Sequence, residues 1–278
     1  MNQRKASKGL SMVELMVALL LASIITIFVS NIMINSSRSA STSTGLAQAQ
    51  EAGRLAMAWL GERVPNAGYR NTTFVFDVVD TSCSGAAHCH KDVKSNANGG
   101  DVLALRRLSS PGLNEAPQLM QTCAGTTLPN SAQNAPNGVI DVYWIEKGDV
   151  SDLTTAFQLK CATYSTAGGS TTLVGSKESI ASGIESMQVL YGIEASSQAD
   201  SGTVERYVNG TYLNSNPNMA ARVVAVKIAL LSRSFEDDTL NNSRRGYQLL
   251  DSEITYANDR VARYINTSTF WLPNMQNR

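Results

Sequence analysis

Four cysteines and two histidines are the side chains of this 278-residue sequence best suited to chemistry. Cys83, His88, Cys89 and His90 fall within eight residues, so a metal centre is the sharpest possibility to weigh. Zinc ligand pairs usually come as C-x2–4-C or H-x3–5-H, spacings that let two donors reach one ion from a single turn. Here five residues separate the cysteines and the two ligand types are interleaved. That pattern fits disulfides better, provided this part of the chain lies in an oxidising compartment. Cys83, Cys89, Cys123 and Cys161 allow three pairings. The expected ones are Cys83–Cys89, closing a short loop, and Cys123–Cys161, joining a loop to a strand.

Other chemistries lack their parts. Two near-adjacent histidines leave no distant His base for a hydrolase. There is no G-x-S-x-G elbow, P-loop or H-E-x-x-H run. Residues 168–171 (GGST) and 175–177 (GSK) lack the G-x4-G-K needed to cradle phosphate and read as turn tips. The acidic stretches 149–152 and 236–238 lack EF-hand spacing and read as solvated turns. No catalytic residue, cofactor or metal is expected.

Glu14 is of another kind. Residues 15–37 hold no charge, and at ~1.5 Å per helical residue they reach about 35 Å, enough to cross a bilayer core. A carboxylate at the edge of such a run is costly unless partnered, so Glu14 is a functional candidate. Arg4, Lys5 and Lys8 precede it with no acid among the first nine residues. The positive-inside tendency then leaves the amino terminus in the cytoplasm and the bulk of the chain outside, after one crossing. An ordinary cleaved signal explains neither Glu14 nor the poor cleavage site at residues 20–23 (LLAS).

Read as one unit, residues 8–15 (KGLSMVEL) resemble the prepilin signature of type IV pilins and type II secretion pseudopilins. The resemblance implies cleavage by a membrane peptidase between Gly9 and Leu10. It implies N-methylation of Leu10, where the family most often has Phe and accepts Leu. It makes Glu14 the fifth-position acid. Gly9 would leave the peptide accessible at the membrane face. The new amine at Leu10 would be a cation for a carboxylate on a neighbouring helix, relieving the desolvation of Glu14 as subunits pack.

The helix continues beyond the membrane. No proline occurs before Pro65. Leu46, Ala49, Ala52, Leu55, Ala56, Trp59, Leu60 and Val64 recur at three- and four-residue steps, with polar residues between them. This predicts one helix over 11–64, apolar all round in its lower part and lying on a globular domain in its upper part. Trp59 and Leu60 are expected in plain core packing. Residues 65–70 (PNAGYR) should break the helix. The stretch 46–70 resembles the matching segment of PilW-type minor pilins, with its Ala-Gly-Tyr turn.

Beyond that turn, strands are expected at 101–108, 138–145, 157–164, 187–193 and 222–232, and a last one at 260–272. Residues 223–231 are largely apolar at both odd and even positions, which marks a central strand covered on both faces. Residues 84–100 and 195–210 read as loops. Stretches 184–192 and 223–233 look like late strand blocks of the PilW type, whereas the ending 270–273 (FWLP) has no counterpart.

The expected class is therefore α+β and pilin-like: a long helix packed on an antiparallel sheet. The expected division is a leader (1–9), a transmembrane and filament-core half-helix (10–37), an amphipathic half-helix (38–64) and a periplasmic β-rich head (65–278). Lys+Arg and Asp+Glu balance at 23 each, but without the leader 20 basic face 23 acidic residues, so direct nucleic-acid binding is not expected. The resemblance implies a non-enzymatic minor pilin that helps prime, assemble or cap a type IV pilus. Twitching, adhesion or DNA uptake would follow from the assembly. Its partners would be other minor and major pilins through the helix, the prepilin peptidase/methyltransferase and the inner membrane. A minor pseudopilin of type II secretion is the alternative; a signal-anchored periplasmic enzyme or binding module is the alternative from another class.

Overall fold

The computed structural model describes residues 11–69, 89–93, 99–109, 117–148, 156–167, 170–195, 202–236, 240 and 242–275. Its first element, α1 (Met12–Arg63), is one unbroken helix of 52 residues, about 78 Å long. A 3-10 turn at Val64–Asn66 ends it, with Pro65 at a position that needs no donated N–H. The Ala-Gly-Tyr turn follows, with Gly68 at φ 76° and its N–H bonded to the Arg106 carbonyl at 2.9 Å.

The rest is antiparallel sheet with two short helices. In chain order come β1 (Leu103–Arg107), α2 (Asn130–Gln133), β2 (Val139–Lys147), β3 (Phe157–Ala167), β4 (Ser170–Ser182), β5 (Ile184–Glu194) and β6 (Val204–Val208). They are followed by α3 (Gly210–Ser215), β7 (Val223–Arg233), β8 (Ser243–Leu249), β9 (Ser252–Asp259) and β10 (Arg263–Trp271). One sheet has the order β1-β2-β3-β4, a second the order β10-β7-β5-β6, and β8 and β9 form a separate hairpin. The class is α+β.

A single residue carries the chain from one sheet to the other. Gly183 lies between β4 and β5 at φ 75°, donates to Phe157 and accepts from Arg233, both at 2.8 Å. A Cβ there would crowd the Phe235 ring and the Arg233 carbonyl at 3.2–3.3 Å, so the corner requires glycine on conformation and space alike.

The main core lies between α1, one face of β7 and β5, and the inner face of the first sheet. It joins Ala56 and Leu60 to Val226, Ile228, Met187 and Leu159. On its other face β7 presents Ala229 and Leu231 to Leu249 and Ile254 of the hairpin. The expected central strand is thus covered on both sides.

Four expectations need correction. Residues 170–171 and 175–177 belong to β4 and are not turn tips, although a register shift opposite Cys161 and Thr163 does bulge the strand around Gly175. The stretch 195–210 contains β6. The hairpin β8–β9 has no counterpart among the expected strands. Leu46 and Leu55, placed on the packed helix face, are 38% and 53% exposed. The last strand is β10, and its unmatched ending has a role: Leu272 is buried, and Asn274 Nδ2 donates to the Pro65 and Ala67 carbonyls at 3.1 and 3.2 Å. The C-terminal segment thereby ties down the helix-breaking turn.

Candidate functional site

Among the described residues, the lower part of α1 is covered by nothing else. The large apolar side chains from Met12 to Ile34 are 42–85% exposed. The hydroxyls in this stretch add little polarity, because Ser23, Thr26 and Ser30 donate back to the carbonyls of Leu20, Ala22 and Thr26, each at 2.8 Å. The surface is therefore close to uniformly apolar. By length and composition this helix is a candidate membrane anchor. Glu14 sits in its first turn, fully on the surface, where the unsatisfied N–H groups of the helix start favour an acid.

The upper part is built from different residues. Gly45, Ala49, Ala52, Gly53, Ala56, Met57, Leu60 and Arg63 are buried. Small side chains allow a close approach to β10 and β7. A Cβ on Gly53 would fall 1.8 Å from Asn266 Nδ2 and 2.9 Å from Ser232 Oγ. The helix meets the sheet there almost backbone to side chain.

At its top the helix is latched to a loop held by a disulfide. Cys123 and Cys161 are joined, 38 residues apart in sequence. Trp59 Nε1 donates to the Cys123 carbonyl at 3.0 Å, and Arg63 donates to Gln121 Oε1 at 3.1 Å while its guanidinium lies 5.2 Å from the Trp59 ring centre. Beneath the loop, buried Arg107 donates to Asp141 at 2.7 Å and to the carbonyls of Leu119 and Gln121 at 2.9 and 2.5 Å. Thr163 Oγ1 donates to Asp141 at 2.6 Å and accepts from the Cys123 N–H at 2.8 Å. Arg107 and Asp141 pair charge to charge, as burial demands, whereas Arg63 leans on Gln121 and the Trp59 ring and leaves its Nε buried without an acceptor. Leu60 fills the core as expected; Trp59 is only half-buried and works mainly as a donor.

The other sequence-derived residues are less concentrated. Gly9, Leu10, Cys83 and His88 lie outside the described residues. Cys89 is disulfide-bonded. His90 is buried and packs edge-on against Tyr191 with ring centres 6.1 Å apart. Among the described residues no three His, Cys, Asp or Glu side chains group as metal ligands would.

Two polar clusters were not read from the sequence. Arg263 donates to Glu185 at 2.5 Å and to Asp259 at 2.7 Å, with its guanidinium 3.7 Å from the Tyr256 ring centre. Asp101 accepts from the N–H groups of Val93 and Val189 at 2.7 and 2.8 Å, which ties the segment before β1 to β5. Burial pushes its pKa up to about 7 despite those donors, and the neighbouring Asp92 and Asp251 push the same way. Neither cluster has a spacing signature, since its members come from distant strands.

Comparison with known proteins bears on the same regions. Residues 142–274 match the PilW family, type IV pilus-assembly protein W. The PilW-type resemblance read from the sequence is thus borne out over the later part of the head. No curated protein matches the chain. Among solved structures it is similar to the type IV-like pilin TTHA1219 from Thermus thermophilus, at 16% identity and a TM-score of 0.43, covering 82% of this chain and 98% of that one.

Proposed function

We propose that this protein is a non-catalytic minor pilin that helps prime, assemble or cap a type IV pilus. The observation that carries the reading is the division of α1: an apolar stem bare of contacts below, and a helix seated in a PilW-type head above. An apolar surface about 35 Å long is stable in water only when covered, and a bilayer and a bundle of like helices cover it equally well. The stem would lie in the inner membrane first, with the head in the periplasm, and among other pilin stems afterwards.

On this reading the leader is removed between Gly9 and Leu10, and the methylated amine of Leu10 is placed for a carboxylate. Glu14 then costs least where a neighbouring subunit supplies that amine, so the acid selects for correctly staggered assembly. Other minor and major pilins are the partners, and motility, adhesion or DNA uptake would be properties of the filament. The PilW match favours a pilus over a secretion system.

The test is chemical and direct. Mass spectrometry of the chain from cells with a working prepilin peptidase should give an amino terminus at methylated Leu10; an intact Met1 terminus sinks the reading. Glu14→Ala should leave insertion and processing unchanged while recruitment into pili falls about tenfold, the equivalent of ~1.4 kcal/mol. Unchanged recruitment would remove the proposed role of the carboxylate.

A further inference from the structure

Above the stem, Gln48, Ala52 and Leu55 on α1 face Ile180 and Ala181 on β4 across a groove of about 660 Å³, with Phe235 completing its wall. Three independent features of this groove are unspent. Leu55 is 53% exposed although it stands on the head side of α1. Gln48 Oε1 is buried without a hydrogen-bond donor. β4 is the last strand of its sheet, and its outer edge pairs with no strand among the described residues.

We propose that the groove is a docking site for an extended, apolar segment of a partner protein, which adds as a strand to the outer edge of β4. The three features select that occupant together. An unpaired strand edge offers alternating N–H and C=O groups, which an extended chain can satisfy and a helix cannot. The orphaned Gln48 oxygen needs an N–H, and the middle of a helix has none to spare, because its own carbonyls take them all. The exposed Leu55 and the half-buried Ile180 and Phe235 offer apolar contact to every second side chain of a strand.

Charge narrows the choice further. Glu51 is the one ionic residue among those lining the groove, and Arg54 already engages it at 2.7 and 2.9 Å. The complementary segment is therefore neutral and apolar. Specificity comes from the edge itself. The register of β4 shifts between Leu159 and Lys160, leaving Ile180 without a partner on β3, and shifts again near Gly175. Bulges of this kind block indiscriminate edge pairing and admit only a segment whose own register fits. The inference goes beyond the stem reading but rests on the pilus reading for its choice of peptides; amide exchange at β4 reports on the groove, and the amino terminus found by mass spectrometry reports on the pilus reading.

The experiment uses the full chain in detergent micelles, probed with synthetic twelve-residue peptides tiling the other subunits of the same pilus system. At least one peptide should bind, and amide exchange over residues 178–182 should slow when it does. Leu55→Glu, at an exposed position, should weaken binding about tenfold or more while the thermal midpoint of the free chain holds, and Ile180→Lys should weaken it as much with a lowered midpoint, because Ile180 packs partly against the main core. Gln48→Ala should weaken binding roughly fivefold without lowering that midpoint, since it removes an acceptor that is unsatisfied in the free chain. Absence of any binding peptide overturns the proposal. So does binding that leaves β4 exchange unchanged, or a bound peptide that is helical. Self-association of the chain abolished by the same two charge variants would assign the groove to a second copy, and overturns it as well. The Glu14→Ala recruitment assay reads the stem alone, so the two readings fail separately.

Discussion

The two halves of α1 invert the usual relation between size and burial. Below Gly45 the helix exposes Leu, Ile, Phe, Val and Met; above it, the residues pressed hardest against the sheet are mostly Gly and Ala. One continuous helix with one backbone geometry therefore serves two kinds of contact. The lower half leaves its large apolar area bare among the described residues, and on the proposed reading a bilayer or other helices would mould to it. The upper half needs a fixed, close fit to β10 and β7, where only small side chains leave room. Hydrophobicity identifies a residue that must be covered, but not what covers it.

That contrast can be broken most sharply by truncating one leucine in each half. Leu60→Ala should destabilise the head by about 2–5 kcal/mol, measured by denaturant unfolding in micelles, because Leu60 is fully buried in the main core. Leu20→Ala should change the same transition by less than about 0.5 kcal/mol, because Leu20 is largely exposed and uncovered by the described residues of the head. A comparable loss from Leu20→Ala would show that the stem packs back on the head.

The halves should also differ in their response to pH. The head buries a carboxyl whose pKa is raised, Asp101, at about 7 against an ordinary value of 3.8. The folded chain then holds this proton through a window in which the unfolded chain has released it. The contribution of Asp101 is accordingly full below pH 4 and is lost as pH rises to about 7, up to about 4 kcal/mol in all. Unfolding free energies measured from pH 4 to 8 should show that fall in the wild type. The Asp101→Asn variant should lose this component of the slope, whatever its absolute stability.

A more modest effect in the upper half concerns the close approach itself. Gly53→Ala should cost about 1–3 kcal/mol as Asn266 is displaced, although alanine is the better helix former. A gain in stability on thermal unfolding would show that the side chain of Asn266 turns away freely and that the contact tolerates a methyl group.

These residues also mark how far the fold could be read before the structure. The helix was legible through Arg63 because its signals are local: no proline, a long uncharged run and a PNAG break. β7 was legible for the same reason, since apolar residues at odd and even positions mean burial on both faces. β4 was not. As an edge strand it faces solvent along most of its length, so it carries Ser, Thr, Gly and Lys without alternation and mimics a turn. The β8–β9 hairpin was missed because its two-residue loop is Leu250-Asp251, with Leu250 itself at φ 51°, and lacks the Asn-Gly or Asp-Gly signature.

The candidate site divides along the same line. Glu14, Gly9 and Leu10 stand within six consecutive residues, and the argument for them needs only spacing, charge and an apolar run. The latch of Trp59, Arg63, Arg107, Asp141 and Thr163 around Cys123 assembles residues from a helix, a loop and three strands, and no spacing announces it.

By itself the amino-acid sequence determined a helix that continues well past its long apolar run, an acid set at its start, a head rich in antiparallel strands, and cysteines suited to disulfides. Periodicity, charge and chain breakers are local properties, and each of these conclusions is local. The tertiary structure alone decided that Ala and Gly rather than Leu46 and Leu55 press closely against β10 and β7. It also decided that Gly183 splits the strands into two sheets, and that among the described residues β4 is left with an unpaired edge near Gln48. Those outcomes depend on which distant surfaces meet, and a surface acquires its partner only when the chain has closed around it.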